Sequence, residues 1–159
     1  MKNISVIGLG KLGICFALTL EKQGYSVVGV DVSEDYIKKI NEKILVSPEP
    51  NVEYSLEQSK NLTATTEIKM AMDHSDVLFI FVATPSLPNG RYGHEQIESV
   101  VKQLVQYTYP SNSKHIIIGC TTMPGYCDSV HKRLQSHGYT VSYNPEFIAQ
   151  GSVMSDLVS

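Results

Sequence analysis

Little in this chain would commit it to a membrane, a nucleic acid or an oxidising compartment. Its 13 lysines and arginines are set against 16 aspartates and glutamates, a formal charge of −3, so it has no cationic footprint for nucleic acid or an anionic bilayer. No apolar run approaches the roughly 18 residues that a membrane span requires. Met1-Lys2-Asn3 leads straight into an apolar run without the pattern of a secretory signal. Cysteine is scarce: Cys15, Cys120 and Cys127 are odd in number and widely spaced, which fits reduced thiols better than a disulfide framework. These absences point to a cytoplasmic protein with neither nucleic-acid nor membrane partners. Repeats and low-complexity tracts are missing as well. What remains is ordinary globular material, 42% hydrophobic and 18% charged. The length of 159 residues suits one domain, burying about 70% of the surface its unfolded chain would expose.

What the chain does contain is concentrated between Ile4 and Asp31. An apolar run, Ile4-Ser5-Val6-Ile7, is followed by Gly8-Leu9-Gly10-Lys11-Leu12-Gly13, a helical stretch, a second apolar run Val27-Val28-Gly29-Val30, and then Asp31. This is a dinucleotide-binding fingerprint in its strand, turn, helix and strand context. Gly8 permits the tight turn, Gly10 lets the backbone approach a pyrophosphate, and Gly13 lets the next helix pack closely. The pyrophosphate is expected on the helix N-terminus, where unpaired amides and a dipole worth roughly half a positive charge favour an anion. Lys11 and Leu12 open that helix and join the glycines as candidate cofactor-binding residues; the Lys11 side chain has two readings, towards the pyrophosphate or towards water.

Asp31 stands eighteen residues after Gly13, near the roughly twenty expected for a carboxylate that accepts the adenosine ribose hydroxyls. The competing reading is a helix cap, because Val32-Ser33-Glu34 opens another helix, but Ser33 can fill that role. An NADP site would place an arginine here, and this chain offers Glu34 and Asp35 instead, so NAD is the expected cofactor.

Downstream, β-rich runs alternate with helical patterns, which calls for an α/β fold: a Rossmann-type doubly wound, mostly parallel six-stranded sheet with helices on both faces. Leu12, Phe16 and Leu20 mark one side of the first helix, and Ile37, Ile40 and Ile44 one side of the next. Asp76 to Val82 reads as a central strand covered on both faces. Ile97, Val100, Val101, Leu104 and Val105 mark a long amphipathic helix, and strands are expected at His115 to Gly119 and Tyr139 to Tyr143. Ser47 to Asn61, with Pro48 and Pro50, reads as a loop with a short helix.

Ligands of such sheets bind beyond the carboxyl ends of the strands. Three loops qualify: Ala83 to Gly90, Cys120 to Gly125, and Asn144 to Gly151. The plainer reading of Thr84 and Thr122 is local turn and cap chemistry, and that of Glu146 is a solvated loop acid. Cys127 falls in the first turn of a helix, where a dipole can lower a thiol pKa, but an unpaired cysteine is more commonly a small buried hydrophobe. Cys127 and His131 could face one metal ion, yet no further ligand is spaced to complete a zinc site, so no metal is expected. His74, His94, His115 and His137 fall in no motif and read as surface or loop residues.

Taken together, Gly8 to Gly13, Asp31, Val82-Ala83-Thr84-Pro85, Thr121-Thr122-Met123-Pro124 and Tyr143-Asn144-Pro145-Glu146-Phe147, followed by Gly151 and Asp156, resemble the N-terminal NAD-binding domain of the UDP-glucose/GDP-mannose dehydrogenase family. The resemblance runs the whole length, and the Asn-Pro-Glu-Phe block is its most specific part. It implies an enzyme that oxidises a nucleotide-sugar's primary alcohol to a carboxylate in two NAD-dependent steps. It also implies that Val82, Thr84, Pro85 and Thr122 lie near the cofactor, and that Thr122 and Glu146 hydrogen-bond in the active site, including to a catalytic water. Two departures stand out. Ala149-Gln150-Gly151 replaces the family's usual Arg-Glu-Gly ending, and Gln150 cannot act as a base. The chain also stops at Ser159, where the family continues through a central helix into a second domain that carries the catalytic cysteine. On this reading the chain is a cofactor-binding fragment, inactive alone and possible as a monomer. The nucleotide-sugar is then held through the missing half, and the full-length protein is a homo-oligomer. The alternatives are a free-standing NAD-binding sensor or partner module, and another two-domain hydroxy-acid dehydrogenase.

Overall fold

The structure is a computed structural model and describes every residue except Met1, Ala149 and Ser159. Six strands form its sheet: β1 (Asn3–Ile7), β2 (Ser26–Val30), β3 (Leu62–Thr65), β4 (Val77–Ile80), β5 (Lys114–Ile118) and β6 (Tyr139–Tyr143). Their spatial order is β3-β2-β1-β4-β5-β6, and every neighbouring pair is parallel. The expected doubly wound sheet is therefore present, and it is wholly parallel. Its topological switch point lies between β1 and β4, where crossovers turn from one direction to the other and open a crevice at the carboxyl edge.

Alternation along the strands decides which helix covers which face. Ile7, Val28, Leu78, Ile80, Ile116 and Ile118 face α4 (Ile68–His74), α5 (Glu95–Leu104) and α6 (Tyr126–Leu134). Their sequence neighbours Val6 and Val27, with Ala64, face α1 (Lys11–Lys22), α2 (Glu34–Asn41) and α3 (Val52–Gln58). A last short helix, α7 (Val153–Asp156), packs on α1 through Val153. The burial of both sheet faces explains why β1 and β2 read as continuous apolar runs.

Two expected helix faces need correction. In α1, Leu12, Phe16 and Leu20 are only half-buried, while Ile14, Cys15, Ala17 and Leu18 form the core side. The sheet covers one flank of α1 and α3 with α7 another, so apolar residues surround it and no single stripe stands out. Phe16 instead meets Phe79 and Phe81, with ring centroids 4.7 and 4.9 Å away. In the second case α2 ends at Asn41. Lys43 adopts φ 60° and donates to Ile40 O, and Ile44 donates to Lys39 O. That is a Schellman ending with a lysine where glycine is usual. It turns Ile44 outward, 60% exposed, and Leu45 takes the core position at 7%.

β4 is shorter than the apolar run Asp76 to Val82: Phe81 N still donates to Ile7 O at 2.7 Å, and Val82 leaves the sheet. At the opposite edge Lys114 opens β5 with its ammonium buried, donating to Met72 O, Ser75 O and Asp76 Oδ1 at 2.6 to 2.9 Å.

Candidate cofactor site at the carboxyl edge

The three fingerprint glycines are held to different requirements. Gly8 leaves β1 at φ +91°, a conformation that disfavours side chains, and a Cβ there would lie 2.7 Å from Phe81 O. A Cβ on Gly13 would lie 1.9 Å from Gly8 O. Both are demanded by the chain's own packing. Gly10 is not: a Cβ there would meet no protein atom within 4 Å. Gly10 is the N-cap of α1, with no side-chain cap and no acid in the first turn. The amides of Lys11, Leu12 and Gly13 therefore lack an intrahelical acceptor at the positive end of a 12-residue helix. The open space at Gly10 and the uncapped amides together fit a pyrophosphate.

Asp31 follows β2 and faces this turn. Its Oδ2 accepts from Leu9 N and its Oδ1 from Ser33 N, both at 3.1 Å. The capping role belongs to Ser33, whose Oγ accepts from Tyr36 N at 3.3 Å. Asp31 is therefore not the cap of α2. The Tyr36 hydroxyl donates to Leu9 O at 2.8 Å, so the Leu9 residue is tied at both its N–H and its C=O. Burial first, then the nearby Asp31 and Cys15, push the Tyr36 phenol up to about 12, which keeps it a neutral donor. Tyr36 is a residue that the sequence reading missed; nothing local distinguishes it from any half-buried helix tyrosine.

The other candidates come from loops that the fold brings to the same edge. Val82 and Thr84 are half-buried and Pro85 is exposed. The Thr84 hydroxyl makes no hydrogen bond to the described residues, so local cap chemistry does not account for it. Beyond it the chain folds back on itself: Leu87 N donates to Arg91 O and Gly93 N to Pro85 O, at 2.7 and 2.8 Å. Met123 N donates to His94 Nε2 at 3.2 Å, and the His94 ring stacks on Tyr126 with centroids 3.8 Å apart. His94 thus ties the β4 loop to the β5 loop, a second role the sequence did not announce. His115, read as surface or loop, is a half-buried β5 residue whose ring nitrogens meet Thr140 and Ser142.

Thr122 N donates to the Tyr143 hydroxyl at 3.3 Å, and its own hydroxyl lies 3.6 Å from Cys127 Sγ. Asn144 N donates to Ile118 O at 2.9 Å and Glu146 N to Gly119 O at 3.3 Å, so the β6 loop is strapped to the end of β5. Glu146 is half-buried and its carboxylate accepts from Asn144 Nδ2 at 3.3 Å. Gln150 Oε1 accepts from Lys11 Nζ at 3.1 Å, which joins this loop to the glycine helix; Ala149 lies outside the described residues. Lys11 points along the rim towards that amide. Two surface concavities of about 740 and 700 Å³ lie away from this edge, beside α1, α3 and α7 and around residues 43 to 57.

All three thiols are held above the ordinary thiol range. Burial pushes Cys15 up to about 12 and Cys120 to about 11, and it raises Cys127 despite the Thr122 hydroxyl beside it. Cys127 lies in the first turn of α6, as expected. No group of three His, Cys, Asp or Glu among the described residues could hold a metal ion.

Residues 2–159 match the sequence profile of the UDP-glucose/GDP-mannose dehydrogenase family, NAD binding domain. The chain belongs to this family. NAD is accordingly the cofactor of the domain, as Asp31 and the acids after it led one to expect. A GDP-mannose 6-dehydrogenase from Pseudomonas putida is 33% identical over 97% of this chain and 38% of its own length. A UDP-glucose 6-dehydrogenase from Rickettsia conorii is 30% identical over 98% of this chain and 37% of its own. Among solved structures, a ternary complex of GDP-mannose dehydrogenase from Pseudomonas aeruginosa superposes with a TM-score of 0.86 at 31% identity, again over 97% of this chain and 38% of that one. The NAD-binding domain described here thus spans well under half the length of the relatives it matches. No helix among its described residues is long and apolar enough to cross a membrane.

Proposed function

We propose that residues 1 to 159 form the cofactor half of a nucleotide-sugar 6-dehydrogenase, which oxidises the primary alcohol of a UDP- or GDP-sugar to the uronate in two hydride transfers. NAD, when bound, accepts the hydride. Gly8, Gly10, Lys11, Leu12 and Gly13 hold the pyrophosphate, and the Asp31 carboxylate, already oriented by two backbone amides, accepts the adenosine ribose hydroxyls. With Asp31 just after β2, the adenosine half lies over the ends of β1 and β2 and the nicotinamide half beside the β4–β6 loops, with Val82, Thr84, Pro85 and Thr122 around it. Thr122 and Glu146 hydrogen-bond at the reacting centre, Glu146 acting on a water. The nucleotide-sugar is held largely by residues beyond this chain, in a cytoplasmic homo-oligomer.

The observation that carries this reading is Gly10, whose missing side chain serves no contact within the protein and keeps open the one place where a phosphate would approach. The test is calorimetric titration of the 159-residue chain with NAD and NADP. Tight NAD binding, weaker NADP binding and no turnover of UDP-glucose or GDP-mannose are expected. Equal affinity for both cofactors would remove Asp31 from its role, and turnover by this chain alone would refute the division of labour.

A further inference from the structure

Glu49 is a charged residue in a place that favours an apolar one. It lies between Pro48 and Pro50 and is 4% exposed. Burying a carboxylate is costly unless its lone pairs are engaged. Both of its oxygens accept from Gly151 N, at 3.0 and 2.8 Å, across 102 residues of sequence. The segment is itself fixed, since Glu49 N donates to Ser47 Oγ at 3.2 Å. Beneath it is α1, where the Cys15 thiol is raised by burial and then by the Glu49 charge.

Gly151 is where the β6 loop ends. It adopts φ +93°, and two residues later Val153 is buried against α1. The start of the loop is tied to β5 through Asn144 N and Glu146 N. Glu146 belongs to the first anchor, and between it and Gly151 lies Gln150, in contact with Lys11. A leucine at position 49 could not accept from Gly151 N. We infer that Glu49 is a positioning residue for the nicotinamide half of the cofactor site, fixing the far end of the loop that carries Glu146 and Gln150. The inference rests on the cofactor reading above.

The test compares Glu49→Ala and Glu49→Gln with the unaltered chain, titrating NAD and ADP-ribose. ADP-ribose engages only the glycine turn and Asp31. Glu49→Ala is expected to weaken NAD by about five- to tenfold, the worth of roughly one ordinary hydrogen bond, and to leave ADP-ribose within about twofold. Glu49→Gln, whose amide oxygen can keep one bond to Gly151 N, restores NAD binding to within about twofold. Equal weakening of both ligands, or no weakening of either, overturns the role. Should Glu49→Ala fail to fold, the Gly151 amide in the unaltered chain decides. It should be protected from exchange, and an unprotected amide overturns the proposal. If the unaltered chain binds neither ligand, the cofactor reading has failed, while the amide measurement still judges the Glu49 bond.

Discussion

Around β1 and β2, the candidate site residues run from Gly8 to Asp31, within 24 positions; around β4, β5 and β6 the cofactor and catalytic candidates run from Val82 to Glu146, across 65. The first group is one strand–turn–helix–strand unit, and its contacts are mostly backbone: Gly8 N to Val30 O, Leu9 N to Asp31, the uncapped start of α1. The second is three loops held together by side chains, including His94 to Met123 N and the Tyr143 hydroxyl to Thr122 N. A backbone-built site depends on where side chains are absent, and a side-chain-built site depends on what distant residues supply. Substitutions should therefore act differently in the two halves.

The largest effect is expected at Gly13. Alanine there puts a methyl group 1.9 Å from Gly8 O, so denaturant unfolding should show a loss above about 4 kcal/mol, or no folded protein. Gly10→Val is the contrasting case: with open space around it, stability should fall by no more than about 1 kcal/mol, the scale of an altered N-cap, while NAD binding is lost. A Gly10→Val chain that still binds NAD would undo the distinction between the glycines.

In the second half, Glu146→Gln in a protein of the relatives' full length should lower kcat by about a hundredfold or more, as loss of a general acid–base group does, with NAD affinity unchanged. A parallel fall in affinity would make Glu146 a cofactor contact instead. Asp31→Ala should act the other way, weakening NAD by about 1 to 3 kcal/mol in calorimetry. Some of that loss would come through the turn, since Leu9 N loses its acceptor too.

The smallest effect concerns pH. The Arg133 guanidinium, donating to both Glu98 oxygens, holds that carboxyl below its ordinary range, with the Tyr126 hydroxyl adding to the effect. A carboxyl depressed in the folded state contributes stability above its unfolded pKa, near 4.3, and loses it as the pH falls through the folded value. Because the pair is partly exposed, the contribution should be at most about 1 kcal/mol. Glu98→Gln should flatten the acid limb of a stability–pH curve below about pH 4.3; an unchanged limb would deny the ion pair that role. His94 stacks on Tyr126, so the same variant also asks whether this network props up the β5 loop.

Legibility followed the same division. The strand, glycine turn and acid of the first half were readable because each rule acts over a few residues, and Ser33 as the α2 cap was readable for the same reason. β3 could not be located, since Leu62-Thr63-Ala64-Thr65 is short and buries only Ala64. Ile44 was misplaced because a lysine ends α2 where glycine would have signalled the stop. Tyr36, His94 and Glu49 escaped notice because their partners lie 27, 29 and 102 residues away.

The order of apolar and glycine residues in this chain was by itself enough to specify a parallel doubly wound sheet and a glycine turn that opens an uncapped helix. Periodicity and steric exclusion are properties of neighbours, and neighbours are what a sequence lists. Which carboxylate holds Gly151, which hydroxyl holds Leu9, and which loops share an edge with Thr122 and Glu146 were decided only by the tertiary structure. Those contacts exist because six strands stack in the order β3-β2-β1-β4-β5-β6, which brings loops from distant parts of the chain to one edge.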